Sequence, residues 1–432
     1  MKRSNYSVKV STRSHNKVEP SNGLNVTTRG DAETLTRQKY DDVLNMVELE
    51  IKNASSKKRK STRFLDLETY QSLLRRTVVS QPIDFEQYQA LPPEPQYETP
   101  TYLECTEQQA RKVLDDPDRV LWMPIVVRSG KKDRNKPANG GIPKFIQRLK
   151  SDGKKVDVLA GERENTYHKS RQPITLDTGI AIERLNNTNP EYPINFLNLR
   201  SKFHNPVPSC IANIDSFRIL EDYPAKGSNG KTLPVMYSDI SHCASFHVFG
   251  QRGAFSLPHI DHHGVFTTIQ CDDGDKLWPI FPKLHQETFL AWARSTVGQV
   301  EVESVEQASL IHADGYPSIA PFALYLHTGD LLIQPPGRLH FPFSLSTVLM
   351  TGTMHWHAKT MVQVVQQSLL EVIFSEVTNE EPDYNLSDKF HSIAKEWERS
   401  DSMYAWGTLT ELNQYRKLIE VNTLSLPLFQ SN

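Results

Sequence analysis

Cysteine is scarce in this chain of 432 residues. The four present, Cys105, Cys210, Cys243 and Cys271, form no Cys-x-x-Cys pair. That excludes a structural zinc finger of the usual spacing and a disulfide framework, and an intracellular, reducing compartment is the expectation. No apolar run approaches the roughly 18 residues that a membrane span needs. Basic residues open the chain, but no apolar core follows them, so a secretory signal is not expected. An excess of either charge is also lacking: 49 Lys and Arg oppose 51 Asp and Glu, a formal net charge of −2. A globally basic nucleic-acid binder is thereby excluded, and contact with nucleic acid is expected only through a short local patch. No internal repeat is present.

The length fits two or three folded units better than one average domain. Residues 1 to about 30 are polar and without apolar periodicity, which predicts disorder. From Ala32 to Lys52 the spacing of Leu35, Tyr40, Val43, Leu44, Val47 and Ile51 predicts an amphipathic helix. The basic cluster Lys57-Lys58-Arg59-Lys60 follows. A second helix is predicted over Leu65–Val78, and the Pro-rich stretch 91–100 reads as a linker. Strands are predicted from Trp122 and over Lys154–Leu159, with a short helix over Ile142–Lys150 between them. Between Cys210 and Val348, short β-type runs such as SFHVFG, GVFTTIQC and FSLSTVLMTG alternate with Gly, Pro and Asp turn signals. That texture predicts a β-sandwich or barrel. Beyond Thr360 the period turns helical, with a stripe of Val362, Val365, Leu369 and Val372, then helices over 386–400 and 408–420.

The segment richest in chemistry is Ser256-Leu-Pro-His259-Ile-Asp261-His262-His263-Gly264. Residues two apart on a strand point to one face, so His259 and Asp261 can share an ion. The best third ligand is His340, which follows a β-type run and a Pro-Gly turn. Two imidazoles and a carboxylate on one side of a metal leave open positions, the pattern of non-haem iron(II) sites. Taken alone, His-x-Asp is a weak signal, and Lys276 in CDDGDK reads as a solvated turn lysine. A hydrolytic His-x-His-x-Asp-His zinc site fails because Leu257 stands where it needs histidine.

At these residues the chain resembles the JmjC family of iron(II)- and 2-oxoglutarate-dependent oxygenases, most closely its histone lysine demethylase branch. The family's Gly-x-Lys is matched by Gly274-Asp-Lys276, with the lysine seventeen residues after His259. Its Gly-x-x-x-x-x-Pro-x-Gly-x-x-His run is matched by Gly329, Pro335, Gly337 and His340, and its later glycine and histidine by Gly352 and His357. The match covers about residues 246–357.

The resemblance implies a mainly β catalytic core, a double-stranded β-helix of jelly-roll or cupin type with flanking α-helices. It divides the chain into a polar, disordered or helical region (1–100), the catalytic domain (101–360) and a helical extension (361–432). It implies Fe(II) on His259, Asp261 and His340. It also implies 2-oxoglutarate, whose C5 carboxylate would pair with Lys276 beside hydroxyls of Ser256 and of Thr267 or Thr268. His357 is expected to make a structural hydrogen bond near the site. Phe246, Phe249, Phe266, Trp278 and Phe341 are expected to line the barrel. The implied chemistry couples oxidative decarboxylation of 2-oxoglutarate to hydroxylation or N-demethylation of a protein substrate such as histone lysine. A nuclear location is expected from Lys57–Lys60. Met354 stands where the family often has Asn, and no cysteine-built histone reader is possible. A hydroxylase of another protein or of a small molecule is therefore the alternative. A further alternative is an inactive scaffold that binds partners or nucleic acid through the basic arm. Retention of the ligands and the lysine argues against that scaffold.

Overall fold

The computed structural model describes residues 29–55, 62–129, 137, 140–152, 155–159, 174–187, 193–200, 207–223, 244–296, 309–378 and 386–429. The polar arm, the basic cluster Lys57–Lys60 and Cys243 lie outside the described residues. The chain opens with α1 (Arg29–Ser55), α2 (Thr62–Arg75) and α3 (Phe85–Ala90), then β1 (Leu103–Cys105), α4 (Glu107–Leu114) and β2 (Ile125–Val127). Next come α5 (Gly141–Asp152), β3 (Lys155–Leu159), β4 (Ile174–Asp177), α6 (Thr178–Leu185), β5 (Asn195–Arg200) and α7 (Ile219–Asp222). The central strands are β6 (Ser245–Gly250), β7 (Phe266–Asp273) and β8 (Asp275–Ile280), separated by α8 (Gln286–Thr296) from β9 (Phe322–His327), β10 (Leu331–Gln334), β11 (Phe343–Ser344) and β12 (Val348–His355). Three helices close the chain: α9 (Met361–Ile373), α10 (Leu386–Trp397) and α11 (Leu409–Phe429).

The strands form two sheets. Among the described residues the larger has nine strands in the order β1-β2-β10-β7-β12-β6-β5-β3-β4, and the smaller has three, β11-β8-β9. Every pairing is antiparallel except β1 with β2. The segment before β7 extends the smaller sheet, through bridges of Phe255 to Phe343 and of His259 to His340, with Ile280 bridging to His340 on the other side. β7 and β8 are consecutive, yet they belong to different sheets. Gly274 makes that corner with φ +97°, and a Cβ there would run into the Thr347 carbonyl.

Alternation along the strands sends one set of side chains between the sheets, including Phe246, Val248, Ile269 and Trp278. The helices cover the outside. Tyr40, Val43 and Val47 of α1 and Leu67, Tyr70, Leu73 and Leu74 of α2 form one apolar cluster with Leu277, Phe281, Phe341 and Phe343. Met361, Val364 and Val365 of α9 join Phe390, Ile393, Leu412 and Tyr415 in the cluster that also holds the inner strand residues. The β core is thus present, with helices forming a larger share of the chain than a mainly β description implies. The expected stripe on α9 is met in part: Val365 is buried, whereas Val362, Leu369 and Val372 are half-buried and Met361 and Val364 are buried instead.

Candidate metal centre

His259 and His340 face each other as a directly opposed antiparallel pair. The His259 N–H donates to the His340 carbonyl (3.1 Å) and the His340 N–H returns the bond to His259 (3.0 Å). Opposed residues project to the same face, so the two imidazoles meet with ring centroids 4.4 Å apart. Asp261 lies two residues beyond His259 and adds its carboxylate, Oδ1 standing 3.8 Å from His340 Nε2. That span falls inside two metal–ligand bonds of about 2.1 Å each. One ligand atom from each of the three residues lies within 4.8 Å of the others.

Neighbouring groups fix which atoms face the ion. His259 Nδ1 bonds the Leu257 carbonyl (2.8 Å) and His340 Nδ1 bonds the Arg338 carbonyl (2.9 Å). A carbonyl only accepts, so each Nδ1 carries the proton and each Nε2 keeps its lone pair. Burial pushes the His340 pKa down to about 4, against the opposing effect of the Arg338 carbonyl, with the Lys276 charge adding to the depression. The neutral imidazole is the form a metal takes. On Asp261, Oδ2 accepts from Thr267 Oγ1 (2.6 Å) and from Gln334 Nε2 (2.8 Å), which leaves Oδ1 turned to the histidines. Gln334 is itself oriented by the Trp278 indole N–H (3.1 Å), and that indole stacks on His340 at 5.1 Å and 9°.

Behind the triad, α9 grips the loop that carries Asp261. Gln367 Nε2 donates to the Asp261 carbonyl (2.6 Å) and to Glu371 Oε1 (3.0 Å). Glu371 also accepts from the backbone N–H of His263 (2.7 Å) and pairs with its Nδ1 (3.0 Å). His263 takes a left-handed φ of 49°, and Gly264 follows at +62°, where a Cβ would lie 2.8 Å from Val364 Cα. The crowd of histidines thereby separates: His259 faces the ion position, while His263 anchors the loop to α9. His262, also buried, is not part of the triad.

The triad opens into a cavity that Ser256, Lys276, Trp278 and Thr267 also line. Lys276 is only 2% exposed, far from the solvated lysine that CDDGDK suggests in isolation. Its Nζ sits 5.7 Å over the Trp278 ring, and no carboxylate of the described residues pairs with it. Burial lowers its pKa to about 8, with Cys271 pulling the other way. Thr267 lines the cavity, but its hydroxyl holds Asp261. Thr268 does not line it: alternation turns it to the opposite face of β7, where its hydroxyl meets Thr353 (2.5 Å). Among the five aromatics named from sequence, Phe246 and Trp278 reach this cavity, while Phe249, Phe266 and Phe341 pack in other clusters. His357 lies outside it, with Nδ1 accepting from the Lys359 N–H (3.2 Å). Asn195, whose Nδ2 is 3.5 Å from Ser256 Oγ, and Gln334 both belong to the site. Gln334, six residues before His340, carried a readable signal in its place in the turn run. Asn195 had none, since it arrives from β5 across the sheet.

Together these features define a mixed fold, a two-sheet β core flanked by helices, with a His-Asp-His cluster able to hold a metal ion. The sequence matches no family model and no curated protein. Among solved structures it is similar to the X-ray structure of E. coli ycfD, at 16% identity and a TM-score of 0.31. That alignment covers 69% of this chain and 64% of the other, so the chain spans under two thirds of that protein's length.

Proposed function

We propose that this chain is an iron(II)- and 2-oxoglutarate-dependent oxygenase of the JmjC type, its two sheets forming a double-stranded β-helix. The observation that carries the reading is one cavity holding both a pre-oriented His-Asp-His triad and a buried, carboxylate-free lysine. The donor set suits Fe(II): two Nε2 lone pairs and one carboxylate oxygen leave positions open for a cosubstrate. A buried ammonium calls for an anion, and the distal carboxylate of 2-oxoglutarate supplies one.

In this reading His259, Asp261 and His340 hold the iron. Bound iron with 2-oxoglutarate would supply the oxygen activation that oxidises a substrate C–H bond. Gln334 and Thr267 keep Oδ2 of Asp261 occupied so that Oδ1 binds. Lys276 fixes the cosubstrate's far end, with Ser256 and Asn195 beside it. Val248, Ile269 and Met354 give the cavity apolar walls that exclude water. For the substrate, we propose a protein side chain, hydroxylated or N-demethylated, with methylated histone lysine as the first case to test. This choice rests on the in-register Lys276 and the family resemblance, and a nuclear location rests on Lys57–Lys60.

The test is 2-oxoglutarate turnover, read as succinate, with and without a panel of methylated histone peptides, beside an iron-binding measurement. Turnover and iron retention in the parent, both lost in His259→Ala, are expected. No succinate under any condition, together with failure to retain iron, would sink the oxygenase reading. Succinate formed equally with and without every peptide would remove the histone substrate alone.

A further inference from the structure

The segment that carries His259 and Asp261 is held along both edges. On one edge His259 exchanges its two backbone bonds with His340. On the other, the N–H of Ile260, the residue between the two ligands, donates to the Val377 carbonyl (3.0 Å), and Ile260 forms a parallel bridge with Thr378. Successive residues of an extended chain turn their backbone groups to opposite edges. The ligand segment is therefore the middle one of three, and its outer neighbour comes from beyond the last sheet strand.

The same part of the chain reaches the next two anchor points. The Asp261 carbonyl accepts from Gln367 Nε2 (2.6 Å), and the His263 N–H donates to Glu371 Oε1 (2.7 Å). Gln367 and Glu371 are four residues apart, so they share one face of α9. They also bond each other: Gln367 Nε2 donates to that same Oε1 (3.0 Å), so the amide directs one hydrogen to Asp261 and the other to Glu371. Glu371 and Val377 are fully buried and Gln367 nearly so, which leaves no solvent to replace a lost partner. Behind this face, Met361, Val364 and Val365 pack with Ile393 of α10 and Tyr415 of α11.

We propose that Gln367 and Glu371 are positioning residues for the metal ligand Asp261, and that the metal-binding unit extends through Thr378. The boundary expected at residue 360 cuts through that unit. Reciprocity then makes metal binding and the docking of α9 on the ligand segment strengthen each other. The inference rests on the metal-centre reading and is independent of cosubstrate and substrate.

The experiment is iron(II) titration of the full chain, with amide hydrogen exchange over residues 361–378 followed with and without the metal. Iron(II) slows exchange there in the parent. Gln367→Leu and Glu371→Leu weaken iron(II) binding by about 10–100-fold. Glu371→Gln, which keeps an oxygen to accept both bonds, restores most of the affinity. Ile393→Ala truncates a buried side chain on α10 and removes none of these bonds, so it lowers stability and leaves iron(II) affinity at the parent level. Parent affinity in both leucine variants, an equal loss in Ile393→Ala, or an equal loss in Glu371→Gln and Glu371→Leu would each overturn the proposal. If the leucine variants do not fold, exchange in the parent decides, and rates over 361–378 that ignore the metal overturn it. Iron retained by the parent and lost in His259→Ala, with the leucine variants unaffected, removes this inference alone. A parent that binds no iron removes the metal centre and this inference together.

Discussion

Asp261 presents one carboxylate oxygen to the triad because the other is fully engaged by Thr267 and Gln334. Gln334 is the more consequential of the two holders, since its carbonyl is fixed by the Trp278 indole, which also stacks on His340. Outer partners of this kind set ligand orientation, and their loss typically weakens metal binding by about 10–100-fold. Gln334→Leu keeps the volume and removes the donors, so iron(II) affinity should fall within that range while the fold persists. A titration giving the parent affinity would show that Thr267 alone suffices. Lys276 illustrates what a residue's neighbours decide. Its place in CDDGDK favours solvent, and the corner at Gly274 instead turns it between the sheets, where it is nearly inaccessible.

Among the elements, β7 carries most of the site's logic. Its alternation sends Thr267 and Ile269 into the cavity and Thr268 to the other side. Further along, Asp272 is buried, and burial raises its pKa to about 6, against the opposing hydrogen bond from Thr351 and with Asp273 adding to the rise. The folded chain therefore binds this proton more tightly than the unfolded chain. The carboxylate costs nothing below the unfolded pKa near 4. The cost grows as pH rises through about 6 and is constant beyond. A shift of this size corresponds to at most roughly 2–3 kcal/mol. Asp272→Asn, which keeps an acceptor for Thr351, should stabilise the chain at pH 7.5 and leave it unchanged at pH 3.5. Urea denaturation at the two values checks this, and a gain of equal size at both would remove the ionisation as its cause.

Over the whole molecule, the helices before and after the sheets brace the strands that hold the triad. Tyr70 of α2 is fully buried, packs on Phe255, Phe341 and Phe343, and donates its hydroxyl to the Phe341 carbonyl (2.9 Å). That carbonyl belongs to the residue after His340. Tyr70→Ala should cost about 3–5 kcal/mol by leaving a core cavity, and weaken iron binding through the loosened His340 strand. Chemical denaturation and metal titration test the two halves, and a loss of stability below about 1 kcal/mol would show that α2 is not integral to this core.

Sequence by itself determined the local pieces. The 3.6-residue stripe gave α1, short β-type runs between Gly, Pro and Asp turn signals gave β6 to β12, and spacing put His259 and Asp261 on one face. In-register Gly274, Lys276, Gly337 and His340 pointed to one chemistry. These are readable because backbone periodicity is local. Only the tertiary structure decided the rest. Asn195 reaches the cavity from β5 by sheet pairing, and Gln367 and Glu371 reach the Asp261 loop from a helix about a hundred residues away. Lys276 is made costly by burial, which no neighbour in sequence encodes. Burial and long-range hydrogen bonds depend on which surfaces meet, and that is fixed only when the two sheets and the surrounding helices close on one another.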